Sequence, residues 1–142
     1  MSDLDRYIDR TTPLRLLLVE DEPTQLLILA HKLRQAGYVV DTATNGREAL
    51  DLLTHPESPV RARLIVLELG LPGLDGLTLL GQLAEAGVLK ASKAVVVTTR
   101  SVEAEMIKAM ELGAVDYITK PVSLPVLMRR LRSALAGGPG VA

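Results

Sequence analysis

The stretch LIVLELGLPGLDG, Leu64 to Gly76, opens as an apolar run, meets a single acid at Glu68, and passes through a Gly/Pro loop to Asp75 and Gly76. Short unbroken apolar runs of this kind suit strands buried on both faces, as in parallel sheets covered by helices. RLIVLEL (63–69) is therefore predicted as a strand, and Asp75 as the N-cap of a helix through LTLLGQLAEAG. Glu68 stands where the strand gives out. In such sheets ligands bind beyond the carboxyl ends of the strands, so an acid there is placed where chemistry collects.

Working outward, the same unit recurs on both sides. LRLLLVE (14–20) is strand-like, and PTQLLILAHKLRQAG follows with Leu26, Leu29, Ala30 and Leu33 at helical spacing, Pro23 in the first turn and Gly37 as a stop. YVVDTA (38–43) reads as a strand, then GREALDLLT as a helix for which Asn45 and Glu48 form a capping-box pair. Asn45-Gly46 would also suit a hairpin, but Ala49, Leu50, Leu52 and Leu53 continue with helical period. After the HPESPVRA loop (55–62) and the strand and helix already described comes KAVVVT (93–98), a fourth strand. It is followed by SVEAEMIKAMELG, a helix with Ser101 as its cap. AVDYIT (114–119) is a short fifth strand, and Ser123 caps a last helix with Leu124, Leu127, Leu131 and Leu135 on one face. Five strands alternating with five helices imply one parallel sheet, helices on both faces and right-handed crossovers.

Composition agrees with one domain. The chain has 142 residues, 48% of them hydrophobic but only 2% aromatic, with no Phe or Trp, so the core must be aliphatic. Sixteen Lys and Arg against 17 Asp and Glu leave a net charge of -1 and no basic field for nucleic acid. The absence of cysteine removes disulfides and thiolate metal sites. MSDLDRYIDRTTP (1–13) lacks an apolar signal region, and no apolar run approaches the roughly 18 residues of a membrane span. The expectation is a soluble cytoplasmic protein with no membrane contact.

If the topology is right, Glu20 and Asp21 close the first strand, Glu68 the third and Thr98 the fourth, while Lys120 and Pro121 follow the fifth. Three carboxylates and one ammonium sum to about -2, which a hard divalent cation such as Mg²⁺ would neutralise through oxygen ligands. Each residue alone has an ordinary reading as a solvated acid, a strand-end hydroxyl or a turn lysine. Their convergence on one edge gives the functional reading its weight.

LLLVEDE, LIVLELGLPGLDG, AVVVTTR and GAVDYITKPVS, in this order and spacing, resemble the receiver domain of two-component response regulators over roughly residues 14–136. The resemblance implies a flavodoxin-like doubly wound (βα)5 fold of strand order 2-1-3-4-5. Residues 1–13 would be an N-terminal extension and residues 137–142 a flexible C-terminal tail. It further implies that Glu20 and Asp21 bind Mg²⁺ together with the acceptor-position acid Glu68 and the Gly70 backbone carbonyl. Thr98 would hydrogen-bond phosphoryl oxygens and Lys120 would pair with them. Tyr117 would be the switch aromatic, coupling the pocket to the face made by helix four, strand five and helix five, and Pro121 would follow Lys120 through a cis peptide bond. Partners implied are a histidine kinase or a downstream target at that face, and a homodimer through it.

In the family the acceptor is Asp; here it is Glu68. One extra methylene moves the carboxylate by more than an ångström, and about 1 Å of misplacement costs about a hundredfold where in-line geometry matters. The reading is a pseudo-receiver that acts by protein contact, with Glu68 reaching toward Thr98 and Lys120 and supplying a weak copy of phosphoryl charge. The alternatives are a phosphorylation-competent single-domain regulator, a phosphomimic substitution of one, and a flavin or nucleotide binder, which lacks a phosphate-cradling loop. Thr99, where Ala or Gly is usual in the family, is a second departure at the pocket's donor side. His31 and His55 read as surface histidines. Arg129, Arg130 and Arg132 make a basic run on the last helix and Glu103, Glu105 and Glu111 an acidic set on the fourth, read as two solvated faces or as a self-association surface flanking strand five.

Overall fold

The structure is a computed structural model that describes residues 14–137, so the expected extension 1–13 and all but the first residue of the expected tail lie outside the described residues. Its elements are β1 Arg15–Val19, α1 Pro23–Gln35, β2 Val39–Ala43, α2 Gly46–Thr54, β3 Leu64–Leu67, α3 Gly76–Glu85, β4 Lys93–Thr98, α4 Glu103–Leu112, β5 Asp116–Thr119 and α5 Leu124–Ala136. A 3₁₀ turn, Val88–Lys90, between α3 and β4 was not anticipated. All strand pairs are parallel, in the order β2-β1-β3-β4-β5. The parallel sheet expected from the strand and helix alternation forms, in the flavodoxin-like strand order that the resemblance implies.

Alternate residues along each strand feed two aliphatic cores. Leu16, Leu18, Leu64, Val66, Val95, Val97 and Ile118 pack with Ala30 and Leu33 of α1 and with Leu127, Leu131 and Ala134 of α5. Leu17, Val19, Ile65, Leu67, Ala94 and Val96 pack with Ala49 and Leu53 of α2, Leu79, Leu80 and Leu83 of α3, and Ala109 of α4. Both faces of the central strands β1, β3 and β4 are thus buried, which is why they carry no polar alternation. Burying a Leu or Val side chain contributes roughly 1.5–3 kcal/mol relative to exposure, so the sheet centre holds the edge residues on a rigid base.

Helix starts show where local chemistry was legible. Asn45 accepts from the Glu48 N–H at 2.8 Å, Asp75 from the Leu77 N–H at 3.2 Å, and Ser123 from the Val126 N–H at 3.4 Å. Glu48 does not complete the expected box; its carboxylate accepts from the Thr44 hydroxyl at 3.5 Å. Glu22, unpredicted, caps α1 through the Thr24 and Gln25 N–H groups at 3.1 and 2.8 Å. Ser101 is not the cap of α4. Val102 occupies that position without a side-chain bond, and Glu103 and Glu105 in the first turn supply the favourable charge at the positive end of the helix dipole.

Candidate functional site

β1, β3, β4 and β5 deliver their last residues to one edge, and backbone hydrogen bonds fix them there. The Glu68 N–H donates to the Val19 carbonyl at 3.0 Å, the Glu20 N–H to Ala43 at 3.1 Å, and the Lys120 N–H to Thr98 at 2.7 Å. The chain folds back from Glu68 into α3 through the Gly76 N–H, which donates to the Leu69 carbonyl at 2.8 Å. A Cβ at Gly76 would lie 2.5 Å from Leu69 Cα and 2.7 Å from the Glu68 carbonyl oxygen, so only glycine admits this close turn. The Lys120-Pro121 peptide bond is cis.

Glu68 is buried, and its carboxylate is fully engaged. Oε2 accepts from the Thr98 hydroxyl and from the Gly70 N–H at 3.2 Å, and Oε1 accepts from Lys120 Nζ at 3.0 Å. Lys120 Nζ also donates to Glu20 Oε1 at 2.7 Å and to Gln25 Oε1 at 2.8 Å, using its three donors. Glu20 Oε2 in turn accepts from the Glu22 N–H at 3.3 Å. One ammonium therefore bridges two acids, Glu20 and Glu68, which lie 100 and 52 positions away in the chain. Among the described residues no buried side-chain nitrogen or oxygen lacks a hydrogen-bond partner.

Electrostatics follow from that geometry. Burial pushes the Glu68 carboxyl up, but the Thr98 hydroxyl, the Gly70 N–H and the Lys120 ammonium outweigh it and hold the group below the usual carboxylate range. Burial likewise pushes Lys120 down, and hydrogen bonds to Glu20 and Glu68 more than reverse it. Both groups are charged at neutral pH.

Of the residues assigned to a metal, the structure brings Glu20 and Glu68 together and leaves Asp21 exposed. Gly70 enters through its N–H. The donors have the right chemistry for a hard cation, but among the described residues no group of three acids or histidines lies close enough to hold one. The Lys120 ammonium lies between the two carboxylates, so this arrangement of side chains does not fit Mg²⁺.

Tyr117 is buried, 8% exposed, and its hydroxyl donates to the Arg100 carbonyl at 2.8 Å. Thr99 is exposed and lines an apolar groove of about 580 Å³ between α1 and α5, which Lys120 also lines. His31 is exposed, as expected, while the exposed His55 ties its own loop through Nδ1, which accepts from the Glu57 and Ser58 N–H groups at 3.2 and 2.9 Å. The reading of a solvated Arg129, Arg130 and Arg132 face is corrected at Arg130, whose Nε donates to the buried Asp116 at 2.7 Å. Glu105 is likewise not simply solvated: it pairs with Arg100 at 3.0 Å.

Sequence reasoning missed Arg100 and Gln25. Arg100 donates from Nη2 to Asp75 and from Nη1 to Glu105, both at 3.0 Å. Its position two residues after Thr98 was a signal that it sits at the edge, but nothing local gives the partners. Gln25 lies on the first turn of α1 beside the end of β1, and only the register of the sheet brings Lys120 to it.

The chain is similar to several known proteins. It is 34% identical over 134 residues to the transcriptional regulatory protein TcrA of Mycobacterium tuberculosis, covering 94% of this chain and 51% of that one. It therefore spans about half the length of that relative and of the transcriptional activator protein IrlR of Burkholderia pseudomallei, of which it covers 52%. With protein PilH of Pseudomonas aeruginosa it shares 31% identity over 123 residues, 87% of this chain and 98% of PilH. A putative response regulator of Chloroflexus aurantiacus superposes with a TM-score of 0.77 at 31% identity, over 88% of this chain and 99% of the other. The chemotaxis protein CheY4 of Vibrio cholerae, at 23% identity and a TM-score of 0.76, shares the fold. The model of the response regulator receiver domain matches residues 16–132, and the chain belongs to that family, a signalling domain of two-component systems rather than a conventional enzyme.

Proposed function

We propose that this receiver signals without a phosphoryl group, with Glu68 in place of the phosphoaccepting Asp. The observation that carries the reading is that one carboxylate reaches Thr98 and Lys120 at once, the two side chains that the family resemblance assigns to phosphoryl oxygens. A single charge with two oxygens is a weaker version of a dianion with three, but its position needs no donor. Tyr117, inward and bonded to Arg100, is in keeping with a switch held on one side. The output is contact with a protein partner, a histidine kinase or downstream target, at the face made by α4, β5 and α5, which also serves self-association. There Val102, Ile107 and Met110 are 57%, 50% and 44% exposed.

Receiver domains typically bind Mg²⁺. In the proposed resting state Lys120 does the neutralising, and no step is assigned to a metal at Glu20, Asp21, Glu68 or Gly70. Phosphoryl uptake at Glu68 is disfavoured for the same reason, since both carboxylate oxygens already hold donors. Intact-protein mass after incubation with acetyl phosphate and Mg²⁺ tests this, beside Glu68→Asp. The expected result is a phosphoryl adduct, about 80 Da, on Glu68→Asp alone, at a rate about a hundredfold above the native chain. Uptake by the native protein within tenfold of the variant would overturn the proposal in favour of a phosphorylation-competent regulator.

A further inference from the structure

Arg100 is a side chain that the proposed function leaves unused. Its guanidinium spans two elements, pairing with Asp75 at the start of α3 and Glu105 in the first turn of α4. It also roofs the pocket. A Cβ placed on Gly70 would lie 3.8 Å from Arg100 Nη2 and 4.0 Å from Glu68 Oε2, so the guanidinium and the carboxylate flank the same point. The backbone of Arg100 makes two further bonds. Its N–H donates to Thr98 Oγ1 at 3.3 Å, and its carbonyl accepts from the Tyr117 hydroxyl. Thr98 itself donates to Glu68. A continuous chain of contacts thus runs from the Glu68 carboxylate through Thr98 and Arg100 to Tyr117 and α4.

From this geometry we infer that Arg100 is a positioning residue, a strap whose two ion pairs hold the β4–α4 connection where it keeps Tyr117 inward and α4 docked. The inference rests on the reading of Glu68 as a fixed charge. The pairs are the anchor and the backbone is the relay. Two carboxylates matched to one planar fork define the height of the loop above Gly70, which a single flexible pair would not. When the strap is cut, the Thr98-to-Val102 segment loses its fixed height and Tyr117 loses a fixed acceptor. The α4 face presented to a partner then changes with no change at Glu68. Of the described ion pairs, only Arg100–Glu105 reaches α4.

The test uses the full chain and the ring resonances of Tyr117, assigned by their loss in Tyr117→Phe, with amide exchange along α4. Arg100→Ala is expected to shift the Tyr117 resonances toward solvent-exposed values and to speed exchange in the first turn of α4 about tenfold. Arg100→Lys is expected to recover part of both, since an ammonium can hold Asp75 or Glu105 but lacks the fork. Arg15→Ala, which cuts the 2.9 Å pair with Asp41 at the opposite edge of the sheet, serves as the control and should leave Tyr117 unmoved. Unchanged Tyr117 resonances in Arg100→Ala, or an equal shift in Arg15→Ala, would overturn the inference. Failure of the Glu68 reading shows separately, as phosphoryl uptake by the native chain.

Discussion

Glu68→Gln keeps the shape of the acceptor-position side chain and removes its charge. The amide oxygen can still accept from Thr98 and the Gly70 N–H, but its NH₂ then faces the Lys120 ammonium, so the change deletes one charge-assisted bond of 3.0 Å. The Coulomb attraction at that separation is about 5.5 kcal/mol at an effective dielectric of about 20, before desolvation is subtracted. The net loss for one hydrogen bond to a charged group is about 1.5–3 kcal/mol. Lys120 keeps Glu20 and Gln25, so the larger cost of an uncompensated buried charge does not arise. For a chain of this size the melting temperature should fall by about 6–12 °C at pH 7. The pH dependence gives the sharper test. Glu68 has a lowered pKa in the fold, so its stabilisation is fully present above its unfolded value of about 4.3 and is lost as pH falls through the folded value. The native protein and Glu68→Gln should therefore converge in stability on acidification, measured by urea unfolding from pH 7 to pH 3. A variant as stable as the native chain at pH 7 would show that repulsion between Glu20 and Glu68 outweighs their shared pairing with Lys120, and the reasoning would fail.

Two further perturbations probe the frame around the pocket. Gly76→Ala forces a Cβ to within 2.7 Å of the Glu68 carbonyl and against Leu69 backbone, with no flexible side chain to give way. It should cost more than about 2 kcal/mol in urea unfolding and disturb the Tyr117 resonances. Arg130→Ala leaves the buried Asp116 with only the Tyr117 N–H, at 2.8 Å; because Arg130 is itself 36% exposed, the expected loss is about 1–3 kcal/mol, and Asp116→Asn in the same background should return part of it.

The covered apolar strands fixed the order of elements without help from long-range information. Val95, Val96 and Val97 are buried on alternate faces, and a run of that kind suits a strand in a sheet between two helical layers. Asn45, Asp75 and Ser123 were legible as caps because a cap is a contact between residues two or three apart. The cap of α4 was misread at Ser101 because the chain after Thr98 is set by Arg100, whose partners lie on α3 and α4.

What the sequence by itself determined is the alternation of strands and helices, the parallel sheet, and which strand ends carry acid, hydroxyl and ammonium. All of that is encoded in periodicity and short spacings. Only the tertiary structure decided how those groups are paired. Lys120 meets Glu20 and Glu68, Asp21 stays in solvent, and Arg130 leaves its basic run for Asp116. The physical reason is that such pairings depend on side-chain reach of an ångström or so across loops that converge from distant parts of the chain, and no local pattern carries that distance.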